Sequence, residues 1–170
     1  MKQYLGYFYK IGFLAAAFSL LTFYLATFFT PDPTLISKVF SFIITPIFVG
    51  AGIYFYRFRI NNNQLSFAEG MSIGFIVYFI NAFVTFSGIY IGLIFSKSLF
   101  GNIKSNMMQV LDDKREEIIN TLGNASYEKT YKEMLQLTVF DVAITDFIFK
   151  IAFGLFFTII ISIILRKTKL

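Results

Sequence analysis

Four apolar runs, each about as long as a bilayer is thick, constrain this chain more than any other feature. A helix rises ~1.5 Å per residue, so crossing a ~30 Å hydrocarbon core takes about 20 mostly apolar residues. Runs of that kind cover residues 10–30, 38–57, 69–96 and 144–165. With the polar segment 97–140 between the third and the fourth, they use up the 170 residues. The expected fold is all-α: a single integral membrane domain, 1–170, with four transmembrane helices and an extramembrane helical hairpin between helices 3 and 4. Only 15% of residues are charged, where a soluble domain carries roughly a quarter, so a lipid bilayer is the implied solvent and first partner.

The chain contains no Cys and no His. That removes thiolate and imidazole catalysis, His/Cys zinc sites and disulfides together. No phosphate-binding loop, dinucleotide fingerprint or paired catalytic carboxylates can be assembled either, so neither an enzyme nor a bound cofactor or metal is expected. The net charge of +5 does not point to nucleic acid, because the Lys and Arg residues flank the apolar runs instead of forming a basic stripe.

The N-terminal run follows Lys2 and Lys10, which a signal peptide would also do. The run is too long for one, and bulky residues (Ala26-Thr27-Phe28-Phe29) stand where a small-residue cleavage site belongs. Pro31 and Pro33 break the helix before the second run, and Pro46 within it predicts a kink near Thr45. Arg57, Arg59 and Asn61-Asn62-Asn63 mark a polar loop. In the third run Gly70, Gly74, Asn81, Thr85, Gly88 and Gly92 recur at steps of four, seven, four, three and four. Those steps share one helical face, a packing surface for close helix approach within the bundle or, less favoured, in a homo-oligomer.

Segment 97–140 carries six basic and six acidic residues. Ile103, Met107, Leu111, Ile118 and Leu122 form a helical stripe, Gly123 and Asn124 stop that helix, and Ser126 is the expected N-cap of the next. A hairpin standing out of the bilayer is favoured over a surface-lying amphipathic helix, since the balanced charge gives little attraction to anionic lipid. The acidic group Asp112, Asp113, Glu116 and Glu117 encloses Lys114 and Arg115 and reads as a solvated face, not a metal site. Asn124-Ala125-Ser126 matches a glycosylation sequon, but a short pattern without secretory context carries no weight. Basic residues number seven on each side of the four spans. They crowd the span ends on the side of the termini, so both termini are expected in the cytoplasm.

The fourth run meets charge at its start, where Asp141, Asp146 and Lys150 form a candidate ion-pair, proton or headgroup site. Asp146 precedes Lys150 by four, the favourable order for an intrahelical pair. A twenty-residue span ending at Leu165 starts at Asp146 and puts Lys150 about 6 Å inside the boundary. At that depth, snorkelling of Lys150 outward to Asp146 and the interface outweighs a buried functional charge. Gly154, Thr158 and Ser162 continue at steps of four and could pack against the third-run glycine face or line a narrow polar groove. Glu69 complements the N-terminus of the third helix.

The Asn-rich loop leading into Leu65-Ser66-Phe67-Ala68-Glu69-Gly70, the charged Asp112–Glu117 helix and the basic tail together resemble the family of domain-of-unknown-function 4199 (DUF4199). The resemblance runs from Tyr7-Phe8-Tyr9-Lys10-Ile11-Gly12 to Arg166-Lys167. It implies a small bacterial inner-membrane protein with four helices and no activity assignable to residues, often encoded near a membrane glycosyltransferase. The resulting expectation is a non-enzymatic structural or accessory subunit of a cell-envelope complex, partnered by another membrane protein. The alternative is a small-solute or ion transporter, or a lipid-carrier flippase, using Asp146 and Lys150.

Overall fold

The computed structural model describes residues 5–167; Lys2 and Lys169, counted above among the flanking cations, lie outside them. Among the described residues the chain forms α1 (Leu5–Ala26), α2 (Thr34–Phe55), α3 (Phe67–Phe95), α4 (Lys97–Asp113), α5 (Arg115–Leu122), α6 (Asn124–Leu135) and α7 (Val139–Ile164), with no strand. Four of these, α1, α2, α3 and α7, are long and apolar enough to cross a membrane.

Helix starts fall where side chains can take up the first free amides. Ser66 and Glu69 form a reciprocal capping box at α3, and Thr138 and Asp141 form another at α7. The second box starts α7 five residues before the expected 144. Asp32 accepts from the Thr34 amide at 2.9 Å, and Pro33 sits at φ −76°. Together they start α2 at Thr34 instead of 38 and bring Thr34 and Ser37 into the helix. The helix then continues through Pro46, and its departure from α geometry falls at a π-helical turn, Tyr56–Ile60. Arg57 and Arg59, expected in a loop, belong to that turn, while Asn62 and Asn63 take the left-handed conformation that Asn tolerates.

The four long helices pack with α2 and α3 in mutual contact and α1 and α7 flanking them; α3 makes its most extensive contact with α7 and its next with α1. The glycine face of α3 is divided between these two neighbours. A side chain at Gly70 or Gly74 would collide with Ser162 or Thr158 of α7, and one at Gly88 or Gly92 with Leu20 or Tyr24 of α1. Between the two halves Ser19 donates to Asn81 at 3.0 Å and Thr85 donates to the same oxygen at 3.3 Å. Phe42 of α2 packs edge-on against Phe149, Phe153 and Phe157 of α7.

At one end of the bundle, α4 to α6 form the expected hairpin, with α5 folded on α6. The stripe helix is interrupted at Lys114, and Leu122 is 66% exposed, so the last stripe position leaves the apolar face. Gly123, at φ +83°, makes the reversal. Asn124 opens α6, and Ser126, the expected cap, instead donates its hydroxyl to the Leu122 carbonyl at 2.8 Å. Tyr127 donates to Asp112 at 2.7 Å, and that carboxylate holds the phenol above its ordinary pKa. Lys104 donates to the Leu135 carbonyl and ties α4 to the end of α6.

At the other end, Glu69 accepts from Tyr56, Asn61 and Ser66. Arg57 donates to the Leu165 carbonyl at 3.2 Å, and Leu65 pairs with Lys167 through two backbone hydrogen bonds. The Asn loop therefore holds the C-terminal end of α7 against the start of α3.

The close approach of α3 to α7 is directly testable. Gly74→Val should destabilise the bundle by about 1–3 kcal/mol through overpacking, and Thr158→Ala added to it should recover part of the loss. Thermal unfolding of the purified protein in detergent reads both; an unchanged midpoint for Gly74→Val would contradict the packing described.

Candidate functional site

Helical spacing puts Asp146, Lys150, Gly154, Thr158 and Ser162 on one face of α7, and all five are buried. Lys150 is 0% and Asp146 5% exposed. The Lys150 ammonium donates to both carboxylate oxygens of Asp146, at 2.8 and 2.6 Å. Across the helix interface, the Ser37 hydroxyl of α2 donates to Oδ1 of the same carboxylate at 3.2 Å. The pair is thus an inward-facing junction between α2 and α7.

Lys150 runs toward Asp146, the direction that snorkelling gives it, and both residues lie inside the bundle. The physical reason lies on α2, where Thr34, Ser37, Ser41 and Thr45 follow steps of three, four and four and are all buried. A hydroxyl-lined partner face supplies the interior with a hydrogen-bond donor for the carboxylate. The signal was present in the sequence as helical spacing, but starting the span at 38 left Thr34 and Ser37 outside it.

Asp141 does not join the site. Its carboxylate is committed to the α7 cap, accepting from the Thr138 amide at 2.8 Å and from the Thr138 hydroxyl. Gly70, Gly74, Asn81, Thr85, Gly88 and Gly92 serve contacts within the bundle, as described above. Asp112, taken from the acidic group, accepts from Tyr127 and belongs to the hairpin.

Below the ion pair the interior remains polar. Ser41 returns its hydroxyl to the Ser37 carbonyl at 2.8 Å. The hydroxyls of Thr45, Thr158 and Ser162 are buried without a hydrogen-bond partner. Thr158 and Ser162 are there because their small side chains fit against Gly74 and Gly70. Gly154 likewise makes room for the Tyr78 ring. The charge pair and the hydroxyls of Thr158 and Ser162 form one column along α7.

Chemically the arrangement holds opposite charges in a low-dielectric interior. Fold and site together define a small all-helical protein with four helices long and apolar enough to cross a membrane and an ion pair buried between two of them. The chain belongs to the DUF4199 family, described as a protein of unknown function, whose model matches residues 10–167. The comparisons with curated proteins and with solved structures gave no match.

A buried pair costs much to break and little to remove whole. Lys150→Met and Asp146→Asn should each destabilise by about 3–5 kcal/mol, because each leaves its partner charged and unpaired in the interior. The double variant should recover most of that loss. A double-mutant cycle on thermal unfolding in detergent measures the coupling; additive losses would show that the two groups do not interact.

Proposed function

We propose that the protein is a multi-pass inner-membrane protein without enzymatic activity, an accessory subunit of a cell-envelope assembly, with both termini in the cytoplasm and the hairpin outside. The observation that carries this reading is the closure of the ion pair. Both charges are satisfied by each other and by Ser37, so the pair acts as a clamp between α2 and α7. A clamp at that place fixes the base of the hairpin, which enters α7 at Val139, and gives a partner a rigid extramembrane platform.

Helix lengths support the membrane frame. From Lys38 to Arg57 and from Asp146 to Arg166 the rise is about 30 Å at ~1.5 Å per residue, matching a ~30 Å hydrocarbon core. In that frame Asp146 lies at the outer boundary and Lys150 one turn inside it. Lys10, Arg57, Arg59, Arg166 and Lys167 gather at the opposite boundary, in keeping with the positive-inside rule. The family resemblance supports an envelope setting, and a glycosyltransferase system is the specific association we propose.

A second reading is favoured by one observation: three buried hydroxyls without partners continue the column from Lys150 toward Glu69. An ion or small-solute path, or a lipid-carrier flippase, would use Asp146 and Lys150 as its charged groups. The Lys150→Met, Asp146→Asn double variant separates the readings. As clamp residues they can be replaced together with cellular function retained, whereas a transport path fails even when the protein folds.

Because the sequence lacks Cys, single cysteines report topology cleanly. A cysteine at Glu117 should react with an impermeant maleimide in intact cells, and one at Asn62 only after the membrane is opened; the reverse pattern would refute the orientation. A photo-crosslinking residue at Glu117 should capture a larger membrane protein from native membranes. Recovery of the protein only as an uncrosslinked monomer would count against the accessory-subunit reading.

A further inference from the structure

A cavity of about 460 Å³ opens where the first turns of α2 meet the hairpin. Its floor is apolar, from Leu35 of α2, Met107, Val110 and Leu111 of α4, Ile118 of α5 and Met134 of α6. Two lysines, Lys38 and Lys114, line it beside Thr30, Thr34 and Asn106. Neither lysine has a carboxylate within salt-bridge distance among the described residues. Asp32, the one acid of the lining, turns an oxygen to the Thr34 amide and caps α2.

Such a lining suits a molecule that is anionic at one end and hydrocarbon at the other. Two ammonium groups, one on α2 and one at the turn between α4 and α5, supply charge for a phosphate, with hydroxyl and amide side chains as neutral donors. The methionines add an adaptable surface that accepts chains of varied shape. The volume lies in the range of small-molecule sites and takes a headgroup with part of a chain. We propose that this cavity binds one anionic phospholipid of the surrounding bilayer, its phosphate between Lys38 and Lys114 and an acyl chain along Leu35, Met107 and Val110. The inference rests on the membrane frame proposed above, in which Lys38 lies at the outer boundary where lipid phosphates are found. A soluble phosphate would gain nothing from the apolar floor, so the bilayer lipid is the occupant that uses the whole lining.

The site also bears on the clamp below it. Thr34 and Lys38 flank Ser37 on α2, the residue that donates to the Asp146 carboxylate. A phosphate held at Lys38 would brace the hairpin on α2.

The test is native mass spectrometry of the full-length protein released from nanodiscs containing equal amounts of phosphatidylglycerol and phosphatidylcholine. One phosphatidylglycerol should be retained preferentially, and Lys38→Gln with Lys114→Gln should lower that retention by about tenfold or more, the loss of at least one charge-assisted contact. Lys129→Gln, on the exposed face of α6, should leave it unchanged. Equal retention of the two lipids, or undiminished preference in the double variant, overturns the proposal. So does complete displacement of the lipid by millimolar inorganic phosphate, which would make the ligand a free anion. Circular dichroism of the variant guards against a folding defect. Alkaline extraction of native membranes distinguishes the two layers of inference: release of the protein would refute the membrane frame itself, while retention in the pellet without lipid preference would refute only the cavity's ligand.

Discussion

The ion pair between Asp146 and Lys150 governs how the four long helices can meet. Charges in apolar surroundings are expensive, and a bundle of apolar helices that contains them must give them partners. That requirement fixes the rotation of α7. With Lys150 inward, the i, i+4 spacing carries Gly154, Thr158 and Ser162 inward as well, so the small residues that permit close approach fall on the face that needs it. Gly74 and Gly70 of α3 then receive Thr158 and Ser162, and Tyr78 lies over Gly154. On the other side Ser37 reaches the Asp146 carboxylate. A single electrostatic demand thus sets the register of α7 against both α2 and α3.

The two ends of the bundle are secured differently. At the Asn-loop end short-range polar contacts dominate: Glu69 gathers Tyr56, Asn61 and Ser66, and Arg57 reaches the Leu165 carbonyl just past the end of α7. At the hairpin end the contacts are mainly apolar. Phe23, Ile89, Leu93, Ile103, Val142 and Ala143 form a second core beneath the hairpin, separate from the one built on Phe8, Val49, Ile53 and Val77. The hairpin itself is joined to α7 through the Thr138–Asp141 cap, so its orientation depends on how firmly the first turns of α7 are held.

Much of this was legible in the sequence because it depends on length and periodicity. Four helices of spanning length, a hairpin after the third, and the spacing of Asp146 with Lys150 all follow from counting along the chain. The burial of Lys150 did not, because it depends on what α2 presents across the interface, and no pattern within α7 contains that. The hidden partner was itself regular: Thr34, Ser37, Ser41 and Thr45 step along one face. It was missed because the start of α2 is set by a proline and an aspartate cap instead of by hydropathy. Asp141 shows the same difficulty in reverse. Its charge beside an apolar run suggested a site, whereas its spacing of three from Thr138 marks it as a capping residue.

The polar column also explains why a closed ion pair and unpartnered hydroxyls occur together. Thr158 and Ser162 are small enough to let α3 approach, and a hydroxyl is the price of that size where Ala would also fit. An apolar bundle could have used Ala at these positions, as α1 does at Ala15 and Ala16, both fully buried. Placing Thr158 and Ser162 in line with Lys150 gives α7 a face that carries polar side chains from Asp146 almost to its C-terminal end. Any rotation of α7 that exposed this face would carry the charge pair out of the bundle and away from Ser37 as well. The column therefore acts as a rotational lock, and the cost of turning α7 is concentrated at the pair that sits nearest the hairpin.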